Sequence, residues 1–145
     1  MGKRSNFERI ERDYYPTPYK AVKPLLRHLP EGVKYCEPCA GAGDLTHHFS
    51  RHVQCVAAYD IQPREDYIRT LDASFLVISD LNGADMIITN PPWERSLLHR
   101  MIDRFSTLAP TWLLFDADWM HTKQSESFMG RCVKIVSVGR VRWIK

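Results

Sequence analysis

At 145 residues the chain fits one domain of ordinary size, with room for a single buried core and hardly for two. Hydrophobic content of 44% and charged content of 26% are those of a globular protein, not of a disordered or fibrous chain. No apolar run nears the ~20 residues of a membrane span, and none follows the basic N-terminus as a signal peptide would. A cytoplasmic protein with no membrane partner is expected.

Residues 1–13 are polar, without helical or strand periodicity, and read as a flexible N-terminal segment. The single domain is expected over 14–145. Tyr15-Pro16-Thr17-Pro18 is stiff and non-helical, because each proline pushes its predecessor towards extended geometry. Thr17 before Pro18 is a cap-plus-first-turn signal, and Val22, Leu25, Leu26 and Leu29 follow at helical spacing. Pro24 marks either a kink or a later start.

Val33–Cys36 reads as the first strand. It enters Glu37-Pro38-Cys39-Ala40-Gly41-Ala42-Gly43, followed by a helix from Asp44 to about Ser50. Strand, glycine-rich turn and helix open a nucleotide-binding α/β unit, and Gly41 and Gly43 allow close approach to the backbone. Cys36 and Cys39 have zinc-like or redox spacing, and His47 and His48 lie near in sequence. No second cysteine pair accompanies them, so buried thiols are the preferred reading and no metal is predicted. Val53–Tyr59 is the second strand. Asp60 lies 17 residues beyond Gly43, near the distance at which dinucleotide folds place a ribose-binding carboxylate.

Two segments compete for the third strand. Phe75–Ser79 has the higher strand propensity, but it leaves only Asp80–Ala84 for a parallel crossover that needs about a dozen residues. Ile68–Leu71 leaves 72–84 and is preferred. It puts Asp72 at the strand's carboxyl end, with Asp80 as the fallback.

The apolar run Asp85–Ile88 feeds Thr89-Asn90-Pro91-Pro92-Trp93. Two prolines stop the strand, donate no N–H and fix φ. The Asn90 side chain and the proline carbonyls are then acceptors beside an indole, at the sheet edge where open α/β folds bind ligands. That combination suits a planar group carrying an NH2. Leu97, Leu98, Met101, Ile102, Phe105 and Leu108 form one face of a helix. Trp112–Phe115 reads as a fully buried strand, and Phe115, Trp119 and His121 are candidate pocket residues with a stronger claim as core or rim. A short helix over 122–129, a strand over 132–138 and another over 141–144 complete the chain. From Gly130 onward there are five basic residues and no acidic one, which suits either a solvated face or contact with phosphates. Strands alternate with helices throughout, so an α/β fold with a mostly parallel sheet is expected.

Tyr15-Pro16-Thr17-Pro18, the glycine-rich Glu37–Gly43, Asp60-Ile61 and Asn90-Pro91-Pro92-Trp93 resemble, in this order, the motifs of class I S-adenosylmethionine-dependent methyltransferases. Within them the chain is similar to the DNA N6-adenine methyltransferases, including small phage-type members. The resemblance implies a Rossmann-like fold and S-adenosyl-L-methionine as cofactor. It implies cofactor contacts from Tyr15, Thr17, Pro18, Glu37, Ala40, Gly41, Gly43, Asp60, Ile61 and Asp72. Asn90, Pro91, Pro92 and Trp93 would be catalytic, acting on adenine in DNA after base flipping.

Two departures from the family stand out. The chain has no separate target-recognition domain, so specificity would come from loops, the basic C-terminal segment, a homodimer or a separate specificity subunit. The C-terminal β-hairpin usual in the family is left incomplete, from truncation or from pairing across subunits. Rival expectations are an amino-methyltransferase acting on RNA or protein glutamine, and an inactive cofactor-binding module that binds DNA or supports a partner.

Overall fold

The computed structural model describes residues 16–49 and 52–143. Tyr15 and the expected flexible segment 1–13 lie outside the described residues. The described residues form five strands: β1 (Lys34–Glu37), β2 (Gln54–Asp60), β3 (Arg69–Thr70), β4 (Met86–Thr89) and β5 (Thr111–Leu113). All neighbours pair in parallel, in the order β3-β2-β1-β4-β5. The direction of winding therefore reverses between β1 and β4, and the crevice outside their carboxyl ends is the switch point of the sheet.

Side chains alternate across the sheet and build a core on each face. On one side Val33, Tyr35 and Ile88 pack with Val22 of α1 (Tyr19–Leu26) and with Leu45 and Phe49 of α2 (Asp44–Phe49). On the other, Cys36, Tyr59 and Ile87 pack with Met101 and Phe105 of α3 (Arg95–Leu108). Leu98, Met101 and Phe105, at helical spacing, are the buried stripe of α3, and Glu94 caps its start by accepting from the Ser96 and Leu97 backbone N–H groups.

The choice of Ile68–Leu71 for the third strand agrees with β3. The crossover after it holds no α-helix. Two 3-10 turns, Ala73–Phe75 and Ile78–Leu81, carry it across, and Ala73, Leu76 and Leu81 fill the α3-side core where a helix would otherwise lie. A bulge opposite Tyr35 and Cys36 sets Val56 out of register, and its carbonyl accepts from Asn82 Nδ2 at 2.9 Å.

Several expectations need correction. Thr17 is not the cap of α1: the helix starts after Pro18, and the Thr17 side chain points elsewhere. Pro24 lies inside α1, which continues to Leu26. The strand at Trp112 is shorter than expected and only half-buried, because β5 is the sheet edge and has one neighbour. The helix expected over 122–129 is divided into a 3-10 turn at Lys123–Ser125 and α4 (Glu126–Met129), after another 3-10 turn at Ala117–His121.

The strand expected over 132–138, and the described part of the one over 141–144, do not form. Strand propensity is realised only against a partner, and here Val133 is 98% exposed. The C-terminal hairpin is therefore absent among the described residues. No helix among them is long and apolar enough to cross a membrane.

Candidate functional site

Glu37 closes β1 and Thr89 closes β4, side by side at the switch point. Both are buried, and Thr89 Oγ1 donates to Glu37 Oε2 at 3.2 Å. Glu37 is 1% exposed and also receives the Asn90 backbone N–H. Its other oxygen, Oε1, is buried without a partner. Desolvation pushes the carboxyl well above the usual carboxylate range, and these two hydrogen bonds only partly oppose it. A buried acceptor lacking a donor is costly unless something else completes it.

The turn after β4 is tied down on both sides. Asn90 Nδ2 donates to Thr17 Oγ1 at 3.2 Å, and Trp93 Nε1 donates to Asn90 Oδ1 at 3.2 Å and to the Leu114 carbonyl at 3.1 Å. An indole N–H can only donate, so the Asn90 atom facing it must be the oxygen. That fixes the carboxamide's orientation, and Oδ1 keeps a second lone pair for another donor. Thr17 is held in turn through its own carbonyl, which accepts from His48 Nε2 at 2.8 Å. The chain before α1 thus reaches the turn after β4. Pro18 is half-buried beside it.

The glycine turn is built differently from its sequence reading. Gly41 and Gly43 both have positive φ (56° and 84°), so both need glycine for conformation. The close neighbour of Gly43 is the chain itself: a Cβ there would collide with the Tyr67 hydroxyl. Gly41 donates its N–H to Asp60 Oδ1 at 3.0 Å, and Gln62 donates to Asp60 Oδ2 at 2.8 Å. Asp60 therefore braces the turn, with one lone pair per oxygen still open to a hydroxyl. Ala40 is buried and joins the turn to β2 through its N–H to the Tyr59 carbonyl, 2.8 Å. Ile61, next to Asp60, is about half exposed.

Asp72 does sit at the end of β3, capping the following 3-10 turn. Its Oδ1 accepts from the Ser74 hydroxyl at 2.6 Å and the Ser74 N–H at 2.9 Å, and these bonds hold its carboxyl below the usual range. Asp80 is likewise a cap, accepting from the Val77 N–H at 2.9 Å. A groove of about 440 Å³ lies along β2, lined by Cys55, Val56, Tyr67, Arg69 and Asp80 among others. It shares no lining residue with the Asn90–Trp93 turn.

Trp119 is buried and belongs to a packed aromatic group. Its Nε1 bonds His99 Nε2 at 3.0 Å, and Phe115 meets it edge-on at 5.0 Å. It packs as a core residue. Cys36 is buried and Cys39 partly so, and desolvation pushes Cys36 up to about 12 and Cys39 also upward. Among the described residues no three His, Cys, Asp or Glu side chains converge to hold a metal ion.

Three participants were not singled out from the sequence. Arg95 bonds Asp116 Oδ2 at 3.1 Å through Nη2, while its buried Nη1 has no partner. Its place directly after the turn was the only signal. Tyr67 over Gly43 and Trp143 against Trp93 carried none, since both contacts are long-range. No protein-family model matches the chain, and neither a curated protein nor a solved structure matches it.

Proposed function

We propose that the chain is an S-adenosylmethionine-dependent methyltransferase of the class I type, acting on the exocyclic N6 amino group of adenine in DNA. The observation that carries this reading is the meeting, at the β1/β4 switch point, of an unsatisfied buried carboxyl oxygen and an oriented acceptor turn. The residues present fit the cofactor. Glu37 Oε1 suits a buried ammonium, and a cation there would also complete the acceptor. Asp60 has lone pairs left for ribose hydroxyls, and Ile61 offers apolar surface beside it.

When bound, S-adenosylmethionine supplies a sulfonium methyl group electrophilic enough for direct transfer. The chain's own task is to make a poor nucleophile better. The adenine amino lone pair is delocalised into the ring. Asn90 Oδ1 and the Pro91 carbonyl accept its two N–H bonds, which favours a pyramidal nitrogen with its lone pair directed outward. Because Trp93 and Thr17 hold the carboxamide, the dipole does not reorganise as charge develops on the nitrogen. With its lone pair so directed, the nitrogen would take up the cofactor's methyl group as the sulfonium is released as the neutral thioether, and one amino proton would pass to solvent. A duplex hides the target atom, so the base leaves the stack to reach the turn. Trp93 would supply the ring on which that base stacks, a contact worth about 1–3 kcal/mol. The acid-free basic stretch after Gly130 favours a phosphate-bearing substrate over a glutamine side chain.

Purified protein with radiolabelled cofactor should label duplex or single-stranded DNA, and not RNA or protein. Labelling of RNA or protein instead keeps the reaction and moves the substrate. Measurable cofactor binding with no labelling of any substrate would sink the enzyme in favour of an inactive module. Asn90→Ala should cut transfer by at least about 10²-fold, the loss typical of a deleted preorganised dipole. Cofactor affinity should stay within several-fold.

A further inference from the structure

Trp93 is not alone at the turn. Trp143 meets it edge-to-face, with ring centroids 5.3 Å apart and planes at 80°. The segment that carries Trp143, residues 132–143, contains no helix or strand. It leaves Val133 and Ile135 largely in water, so burial of its own side chains does little to hold it. It is fixed at its start, where Arg131 bonds Asp103 at 2.8 Å and Ser106 Oγ at 3.0 Å on α3. Near its far end Trp143 is half-buried against Trp93, between the exposed Arg142 and the end of the described chain. The result is a strap attached to α3 at one end and laid on the candidate catalytic turn at the other.

We propose that Trp143 is a displaceable plug: it takes the ring contact on Trp93 that an extruded base would take, and it leaves when nucleic acid delivers that base. This rests on reading the Asn90–Trp93 turn as a base-methylating site. The contact keeps part of both rings from water while no substrate is present. Arg140 and Arg142, exposed and adjacent to Trp143, give the strap a second place to go. Phosphates of the strand that brings the base attract the same segment that must move. A free nucleoside offers the ring without the phosphates, so the strap discriminates in favour of polymeric substrate.

The test compares wild type, Trp143→Ala and Trp143→Phe for binding to a fluorescent single-stranded adenine oligonucleotide and to its abasic counterpart. Trp143→Ala should bind the adenine strand about 2- to 10-fold tighter, the factor to which an aromatic pair's contribution converts. Trp143→Phe should stay near wild type, and the abasic strand should not distinguish the three proteins. In NMR spectra the Trp93 indole N–H signal should shift in Trp143→Ala. Unchanged or weaker adenine binding by Trp143→Ala, or an unmoved Trp93 signal, overturns the plug and leaves the methyltransferase reading standing. A shifted signal with no adenine preference in any of the three proteins overturns the base-site reading, and the plug with it.

Discussion

Glu37 concentrates the chemistry of the site in one side chain. It is fully buried, it accepts from Thr89 and Asn90, and its second oxygen has no donor. Desolvation raises its pKa in the fold, so the unfolded chain gives up this proton at lower pH than the folded one. The stability it contributes is complete below the unfolded value of about 4.3 and is lost as pH rises towards the folded value. Glu37→Gln cannot ionise, and its amide oxygen can still accept from Thr89 and Asn90. Its melting temperature should therefore gain on wild type as pH rises from about 4 towards the raised folded value. A constant gap, or one that widens towards acid, would mean that Glu37 is ionised in the fold. Thr17 illustrates what a local signal cannot tell. A threonine before a proline reads as a helix cap, yet its hydroxyl serves Asn90, 73 residues away. Nothing within a few residues of Thr17 encodes that partner. Thr17→Val removes this restraint and leaves the one from Trp93. A single net hydrogen bond is worth about 1 kcal/mol, so turnover should fall roughly 5-fold. An unchanged turnover would show that Trp93 alone orients Asn90.

The elements that were legible are those whose pattern is local. The buried stripe of α3 and the strands β1, β2 and β4 follow from spacing alone, within a residue or two at their ends. For β3, the length a crossover needs overruled propensity at Phe75–Ser79, and two 3-10 turns lie where that propensity pointed. The C-terminal segment shows the opposite failure. Its β-branched residues look like a strand, but neither a ladder partner nor a packing surface is there to realise it. Residues 116–131 dock on α3 through two different kinds of contact, and magnitudes separate them. Arg131 pairs with Asp103 in solvent and lies 5.2 Å over the Phe128 ring, whereas Trp119 is buried against His99, Phe115 and Phe128. Exposed pairs contribute about 0.2–1 kcal/mol, while truncating a buried tryptophan costs about 3–5 kcal/mol. Urea denaturation should show Trp119→Ala strongly destabilised and Arg131→Ala close to wild type. Comparable losses would mean that the ion pair and the ring contact act as one coupled unit.

At the scale of the whole molecule, the sheet separates what holds the fold from the polar side chains of the candidate site. Apolar side chains occupy both faces, while Glu37, Asp60, Asp72 and Asn90 all fall at the carboxyl edge, because each ends a strand or lies within two residues of a strand's end. That placement was legible, since strand ends follow from pattern and parallel strands share an edge. Which chain segments lie over the edge was not, because loop contacts such as Trp93–Trp143 depend on folding back over fifty residues. The charge distribution bears on the proposed nucleic-acid partner. Arg131 is already engaged with Asp103, whereas Lys134, Arg140 and Arg142 are exposed on the strap. On B-DNA each phosphate contact contributes about 0.9 to the slope of log K against log salt concentration. If those three side chains meet phosphates, the strap accounts for roughly 2.7 of that slope. Replacing Arg140 and Arg142 together with alanine should flatten it by about 1.8, and should weaken binding to unrelated duplexes equally. Fluorescence anisotropy from about 50 to 200 mM salt reads both quantities. An unchanged slope would place the duplex on another surface and leave the strap to act through Trp143 alone.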